Sequence, residues 1–180
     1  MIKSINTPRG MIVVRQSNLA DAANFRELRL GALLDSPTAF SMDYQRASNH
    51  PPKYWEDTLA MDDQESAIFF AEHAHHLIGM TGIARGRSPK TRHGADVWGV
   101  FVTSPWRELH IAEELITSCK DWAKAREVVI LRLAVVATNK PAIHCYERCG
   151  FVTYGTESRS LFYDGKYYDE YLMAMDLDKG

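Results

Sequence analysis

Cysteine is scarce in this chain of 180 residues: there are three. Cys119, Cys145 and Cys149 are an odd number and fall in helical patterns. That argues against a disulfide framework and for reduced thiols in a cytoplasmic setting. Long apolar runs are missing too. No stretch reaches the roughly 18 residues of a membrane span. The opening "MIKSINTPRGMIVV" has no run suited to a signal peptide. A basic surplus is also absent, since the formal net charge is -2. Neither nucleic acid nor a membrane surface is therefore expected as a partner. There is no internal repeat, low-complexity tract or linker. What is present is 46% hydrophobic and 24% charged residues, enough to bury a sizeable core. Residues 1–180 are read as a single domain, with 1–10 a flexible N-terminal extension.

Hydrophobic periodicity orders the elements. "MIVVRQ" (11–16) reads as a strand. Residues 17–36 read as a helix with Asn18 as N-cap, Asp21 three residues on, and Phe25, Leu28 and Ala32 on one stripe. Residues 37–52 read as a loop, long enough to be functional. "KYWEDTLAMDD" suggests a short second helix. Runs 66–72 and 76–84 read as a hairpin around a polar turn. "ADVWGVFVT" (95–103) is the most apolar strand and is expected to be central. After it, Ile111, Leu115, Ile116, Cys119, Trp122 and Ala123 form the stripe of an amphipathic helix. "VVILRLAVV" (128–136) is another buried strand. "NKPAIHCYERCG" (139–150) is a short helix with Asn139 as N-cap, Pro141 in the first turn and Gly150 as stop. Residues 151–177 end the chain as two strands. The strand–helix–strand unit from 95 to 136 implies a parallel pair and the hairpins imply antiparallel edges, so the sheet should be mixed.

Two stretches carry chemistry. In "VWGVFVTSPWRELHIAEELI" an apolar strand ends at a Pro, an Arg follows, and a helix begins. Unpaired amides in a helix's first turn, together with its dipole, favour an anion there. In "VVATNKPAIHCYERCGF" a capped helix carries a tyrosine. The cluster His73, His75 and His76 prompts a metal reading. It lies in a hairpin turn without a further clear ligand, so a polar turn is expected and no metal site. Cys145 and Cys149, four apart on one short helix, are expected to pack rather than react.

On these two stretches the chain resembles the GNAT superfamily of N-acetyltransferases, from about Ile12 to Leu177. The second motif is the more specific: Asn139, Ala142, Tyr146, Gly150 and Phe151 match the family's spacing. In the first motif Arg107 and Ala112 match, but His110 stands where the family has Gly, and Glu108 often has Gly as its counterpart. The resemblance implies an α+β fold (mixed α/β) in three layers. Its central mixed, partly splayed sheet would have about seven strands, flanked by about four helices. It implies acetyl-CoA as cosubstrate, with pyrophosphate on the turn from Arg107 through Leu109, His110 and Ile111 to Ala112. Glycine there would allow close approach and positive φ; His110 is expected to sit in helical φ/ψ and still donate its N–H.

Further site residues follow from the same resemblance. Val100, Phe101 and Val102 would offer backbone groups to the pantetheine arm, with a bulge splaying their strand. Asn139 and Ala142 would contact the cofactor, although a cap alone also explains Asn139. Tyr146 would be the acid that protonates the departing thiolate. Asp96 is a candidate base, with turn chemistry as an equal explanation, and His93 is a nearby substitute. The acceptor would lie among Phe40, Tyr44, Trp55 and Tyr168, beside Tyr163, Tyr167, Asp43 and Asp164. Aromatics and carboxylates suit a cationic amine and equally a homodimer interface. The expected activity is acetyl transfer from acetyl-CoA to a primary amine, small-molecule or peptide, by direct attack in a ternary complex. The alternative is a degenerate domain of the same family that binds acyl-CoA as a non-catalytic sensor or scaffold.

Overall fold

Strand β2 (Gly10–Gln16) buries Ile12 and Val14 and leaves the residues between them partly open, the period of two that a half-covered sheet requires. Before it, Ile2–Thr7 forms β1, paired with β2 in an antiparallel register from Ile2↔Arg15 to Thr7↔Gly10. Of the flexible extension expected over residues 1–10, residues 2–10 belong to an edge hairpin. Thr7, Pro8, Arg9 and Gly10 make its turn, with the Thr7 hydroxyl donating to the Gly10 carbonyl at 2.8 Å. The computed structural model describes residues 2–178.

The remaining strands are β3 (Ser66–His73), β4 (His76–Arg85), β5 (Gly94–Val102), β6 (Ile130–Val136), β7 (Val152–Tyr163) and β8 (Lys166–Asp176). They form an eight-stranded sheet in the order β1-β2-β3-β4-β5-β6-β8-β7. Every neighbouring pair is antiparallel except β5–β6. Helices α1 (Ala22–Asp35), α2 (Tyr44–Ser48) and α3 (Pro52–Leu59) cover one face, around Phe25, Trp55 and Phe70. On the other face α4 (Ile111–Lys124) and α5 (Lys140–Arg148) pack around Leu115, Leu131 and Met173. The three layers and mixed sheet are those expected. The eighth strand is β1 and the fifth helix is α2.

Local chemistry explains the boundaries. Asn18 caps a single 3₁₀ turn, Leu19–Asp21, by accepting from the Ala20 N–H, while Asp21 accepts from the Asn18 N–H. Only then does α1 begin, so the helix read over 17–36 is two elements. Residues 37–52 are not one loop. Pro37–Ala39 is a single helical turn, and Asp43 caps α2 by accepting from the Arg46 N–H. A five-residue helix is too short to leave a readable period. Helix α4 starts at Ile111, because Ser104–Trp106 is a separate 3₁₀ turn and the chain then passes through two left-handed residues.

The feature that makes a site is a seam. Strand β6 pairs with β8 along its whole length, Ile130–Val136, but with β5 only at Gly94–Asp96. Beyond Asp96 the two parallel strands part. On its other side β5 carries a bulge: Met80 pairs with Phe101 and Gly82 with Trp98, which puts one extra residue on β5. Gly99 lies within it at φ +67°, a conformation that costs glycine nothing.

Candidate active site

A cleft of about 500 Å³ opens where β5 and β6 part. Val100, Phe101 and Val102 form one wall. The turn before α4 and its first residues, His110 to Glu113, form a second. Helix α5 supplies a third through Ala142, Cys145, Tyr146 and Arg148, with Asn139 at its start. Of the expected cofactor contacts, only Leu109 does not line the cleft; it is half-buried against the α4-side core.

The turn from Arg107 to Ile111 keeps a glycine's backbone without the glycines. Glu108 has φ +64° and His110 has φ +58° with ψ +19°. His110 is therefore left-handed and not helical as expected. A Cβ in this region costs roughly 1–2 kcal/mol per residue. The gain is directional. Helix α4 starts with the N–H groups of Ile111, Ala112 and Glu113 lacking intrahelical acceptors, all beside the cleft. His110 offers Nδ1 to Glu113 at 3.1 Å, and Arg148 donates to the same Glu113 oxygen at 2.6 and 3.1 Å. Burial, the largest influence, would raise the Glu113 carboxyl, but the hydrogen bonds from Arg148, its own backbone N–H and His110 together hold it below its ordinary value. One of the acidic residues near the turn is thus paired with Arg148, and its carboxylate also accepts from its own backbone N–H in the first turn of α4.

Arg107 is held rather than free. Its Nε donates to the Val102 carbonyl at 3.0 Å, its guanidinium pairs with Asp35 at the end of α1, and it lies over the Phe101 ring. Tyr146 is buried, 8% exposed, with its ring edge-on to Phe151 at 6.1 Å. Burial pushes its phenol above the usual range, so it stays protonated at neutral pH. The Cys145 thiol is raised by its hydrogen bond to Cys149 and by burial, which keeps it from acting as a thiolate.

The acceptor residues divide. A smaller cavity of about 180 Å³ lies between the segment after α1 and the β7–β8 hairpin. Phe40, Tyr44, Asp43 and Tyr163 line it. Phe40 lines the larger cleft as well, so the two cavities adjoin at this residue. Trp55 does not belong there. It is 2% exposed, edge-on to Phe25 at 5.5 Å, and fixes α3 to α1. Tyr168 lines neither cavity, and Tyr167 and Asp164 are exposed on the hairpin. Asp96 is exposed and lines neither cavity, and His93 is likewise outside. Because Ala95 and Val97 enter the α4-side core, Asp96 shares the opposite face with Trp98, towards α1. His73 donates from Nδ1 to the Met11 carbonyl at 3.0 Å and packs on Trp106. Among the described residues no three His, Cys, Asp or Glu side chains converge as a metal site.

The family model described as Acetyltransferase (GNAT) family matches residues 33–151. The chain belongs to the GNAT acetyltransferase family. Members are acyltransferases with acetyl-CoA as cosubstrate, and the matched span runs from the last turn of α1 to the residue before β7. A streptothricin acetyltransferase of Escherichia coli is 27% identical over 106 residues, 58% of this chain and 59% of that protein. The chain thus matches less than two thirds of that relative's length. Among solved structures, a GNAT-family acetyltransferase of Streptococcus pneumoniae superposes with a TM-score of 0.83 at 23% identity, covering 92% of this chain and 98% of that one. A ribosomal-protein-S5-alanine acetyltransferase of Vibrio fischeri gives 0.81 at 18% identity over 98% and 97%. A protein of Salmonella typhimurium solved with its cofactor acetyl-CoA gives 0.76 at 17% over 94% and 95%. At these identities the likeness is one of fold. No helix among the described residues is long and apolar enough to cross a membrane.

The site residues that sequence reasoning passed over are Glu113 and Arg148 as a pair, and Trp106 and Ser36 as wall residues. Glu113 and Arg148 were separated by a strand and a turn, and no spacing rule joins them.

Proposed function

We propose that this chain transfers an acetyl group from acetyl-CoA to a primary amine by direct attack in a ternary complex. The observation that carries this reading is the parting of β5 from β6 at Asp96, beside the Gly99 bulge, into a cleft bounded by the first turn of α4 and by Tyr146. The thioester supplies an activated acetyl group, and the residues of this chain hold and polarise it.

Each residue group has a task. The left-handed turn at Glu108 and His110 presents the first amides of α4 to a pyrophosphate. Arg107 holds that turn against β5 and α1. Past the seam β5 has no neighbour on its β6 side, so Val100 to Val102 can pair with an extended amide chain as with an added strand. Asn139 is committed to capping α5, accepting from the Ala142 N–H at 3.3 Å, which aims the helix that bears Tyr146. The neutral Tyr146 phenol is the proton donor to the leaving sulfur.

The amine enters by the smaller cavity and passes Phe40 to reach the cleft. Asp96 sits on the acceptor side of β5, three residues before Gly99. At about 3.3 Å per residue this is roughly 10 Å of strand, so it acts as base only through water. The sensor alternative drew on the replaced glycine; retention of the glycine conformation at His110 removes that argument. Three free cysteines fit a cytoplasmic setting.

The test has two parts. Calorimetry should show acetyl-CoA binding to the full chain, and release of free CoA thiol should follow on addition of amines from a mixed panel. Binding without turnover on any amine would favour the sensor. Absence of binding would remove both.

A further inference from the structure

Helix α1 buries one charged side chain. Arg29 lies four residues from Phe25 and four from Leu33, inside the stripe that faces the sheet, and is 9% exposed. Its Nη1 is buried and has no hydrogen-bond partner. No carboxylate pairs with it among the described residues; the titratable group that acts on it is the Tyr54 phenol. Burial lowers the guanidinium to about 10, which still leaves it charged at neutral pH. A buried unpaired charge is costly, and evolution has the simple remedy of a leucine.

Its location relates it to the reaction. The guanidinium carbon lies 4.5 Å from the centre of the Phe40 ring. Phe40 is the residue at which the two cavities meet. Nη1 is also the atom nearest Gly99 on the side where a Cβ would project, at 3.5 Å from that position. Gly99 precedes Val100, a wall of the larger cleft. The cation is thus behind Phe40 and against the bulge, at the junction of the acceptor path and the cleft. A second buried donor without a partner, the Trp55 indole N–H, lies in the same helix–sheet layer. Among the described residues the buried side-chain atoms without a partner are these two, both donors, so this layer is short of an acceptor.

We propose that Arg29 receives a carboxylate of the acceptor, so that the preferred substrate is an amine that carries a carboxylate close to the nitrogen, as an amino acid does. The inference rests on the acetyl-transfer reading above. A planar fork of N–H donors matches a carboxylate, and a neutral amide would leave the charge uncompensated. Arg29 lines neither cavity, and Phe40, half-buried and extended directly after a single helical turn, is the side chain that must swing aside to admit the anion. Asp43 on the wall of the smaller cavity disfavours a plain dianion and accepts a molecule that also bears an ammonium. The Asp35 carboxylate is already engaged by Arg107 and does not compete.

The test uses matched acceptors: lysine against cadaverine, phenylalanine against phenethylamine, methionine against 3-methylthiopropylamine. Wild-type kcat/KM should favour the carboxylate member of a pair by on the order of 10²-fold, the range of one charge-assisted contact. Arg29→Met should erase that preference, leave turnover of the plain amine within a few-fold, and leave acetyl-CoA affinity unchanged. It should also raise Tm, because an unpaired buried charge is gone; Arg29→Lys should keep a weaker preference. Wild-type preference for the plain amines would overturn the proposal even if no variant folds. So would an Arg29→Met protein that keeps the preference, or one that melts lower with equal loss on both members. If acetyl-CoA binds and no amine turns over, the acetyl-transfer reading fails by itself. Thermal stabilisation by lysine over cadaverine in the presence of CoA then decides whether Arg29 holds a carboxylate.

Discussion

Arg107 pairs with Asp35 across 72 residues of chain, joining the turn before α4 to the last residue of α1. The Ser36 hydroxyl and Arg107 together hold the Asp35 carboxyl below its ordinary value. This pairing gives Arg107 a role that sequence alone does not suggest: it fixes the turn before α4 in place. Arg107→Ala should weaken acetyl-CoA binding by roughly 1.5–3 kcal/mol by calorimetry, the worth of a charge-assisted hydrogen bond. Asp35→Asn separates the two possibilities. If Arg107 acts by holding the turn, Asp35→Asn weakens binding too. If it acts on phosphate, releasing it from Asp35 tightens binding.

His110→Gly should stabilise the protein. The residue is left-handed, so glycine relieves about 1 kcal/mol of strain and gives up only an exposed contact with Glu113. Affinity for acetyl-CoA should be equal or better at every pH. A loss confined to acid pH would show instead that the charged imidazole binds phosphate. His110→Val, β-branched at the same φ, should melt lower than wild type.

Tyr146→Phe keeps the ring against Phe151 and removes the hydroxyl alone. Stability and KM for acetyl-CoA should change little, and kcat should fall on the order of 10²–10⁴-fold if proton donation matters. Asp96→Asn should behave differently, with its largest loss at low pH, where the amine is most protonated. Full kcat across the pH profile in Tyr146→Phe would make Tyr146 a packing residue.

Arg15 donates to both Asp21 oxygens, at 2.7 and 2.8 Å, and to Glu72 at 2.8 Å. Burial would raise the Asp21 carboxyl, but the Arg15 bonds lower it overall. A carboxyl lowered by folding adds stability that is present above its unfolded pKa and is lost as pH falls through the folded one. Acid melting should therefore steepen below about pH 4. Arg15→Met leaves Asp21 buried and unpaired and should cost about 3–5 kcal/mol in urea unfolding near neutral pH. The same variant should show a flatter acid limb.

Reading from sequence succeeded where the signal is local. The alternation in β2, the stripe of α4 and the Asn139 cap each lie within one element, and each is found in place. It failed where the signal is short or non-local. The edge strand β1 has one half-buried apolar side chain packed on the core, Ile5, and was passed over although Pro8 and Gly10 mark its turn. Helix α2 has five residues. Trp55 looked like an acceptor aromatic because aromatics serve both cores and sites, and only packing separates the two. Arg29 left a trace that could have been followed, a cation at the i+4 position of a buried stripe. Arg15, Asp21 and Glu72 left none, since Glu72 comes from another strand.

The three residue pairs that join β5 to β6 also divide the molecule mechanically. Strands β1 to β5, all from residues before 103, form one plate; β6 to β8, all from residues after 129, form the other. Their shared backbone weld is Gly94–Asp96; α4 lies on the first plate, over β3, β4 and β5, and meets the second through α5. Amides at the open end of the seam should exchange sooner than those of β3 and β4, as a separate opening unit. A molecule lodged between the plates touches both, so its binding energy adds directly to the work of prising them apart. Cofactor occupancy should then slow exchange far from the cleft, along β8 and β4, and the enzyme in the cell would be held together in part by its own substrate.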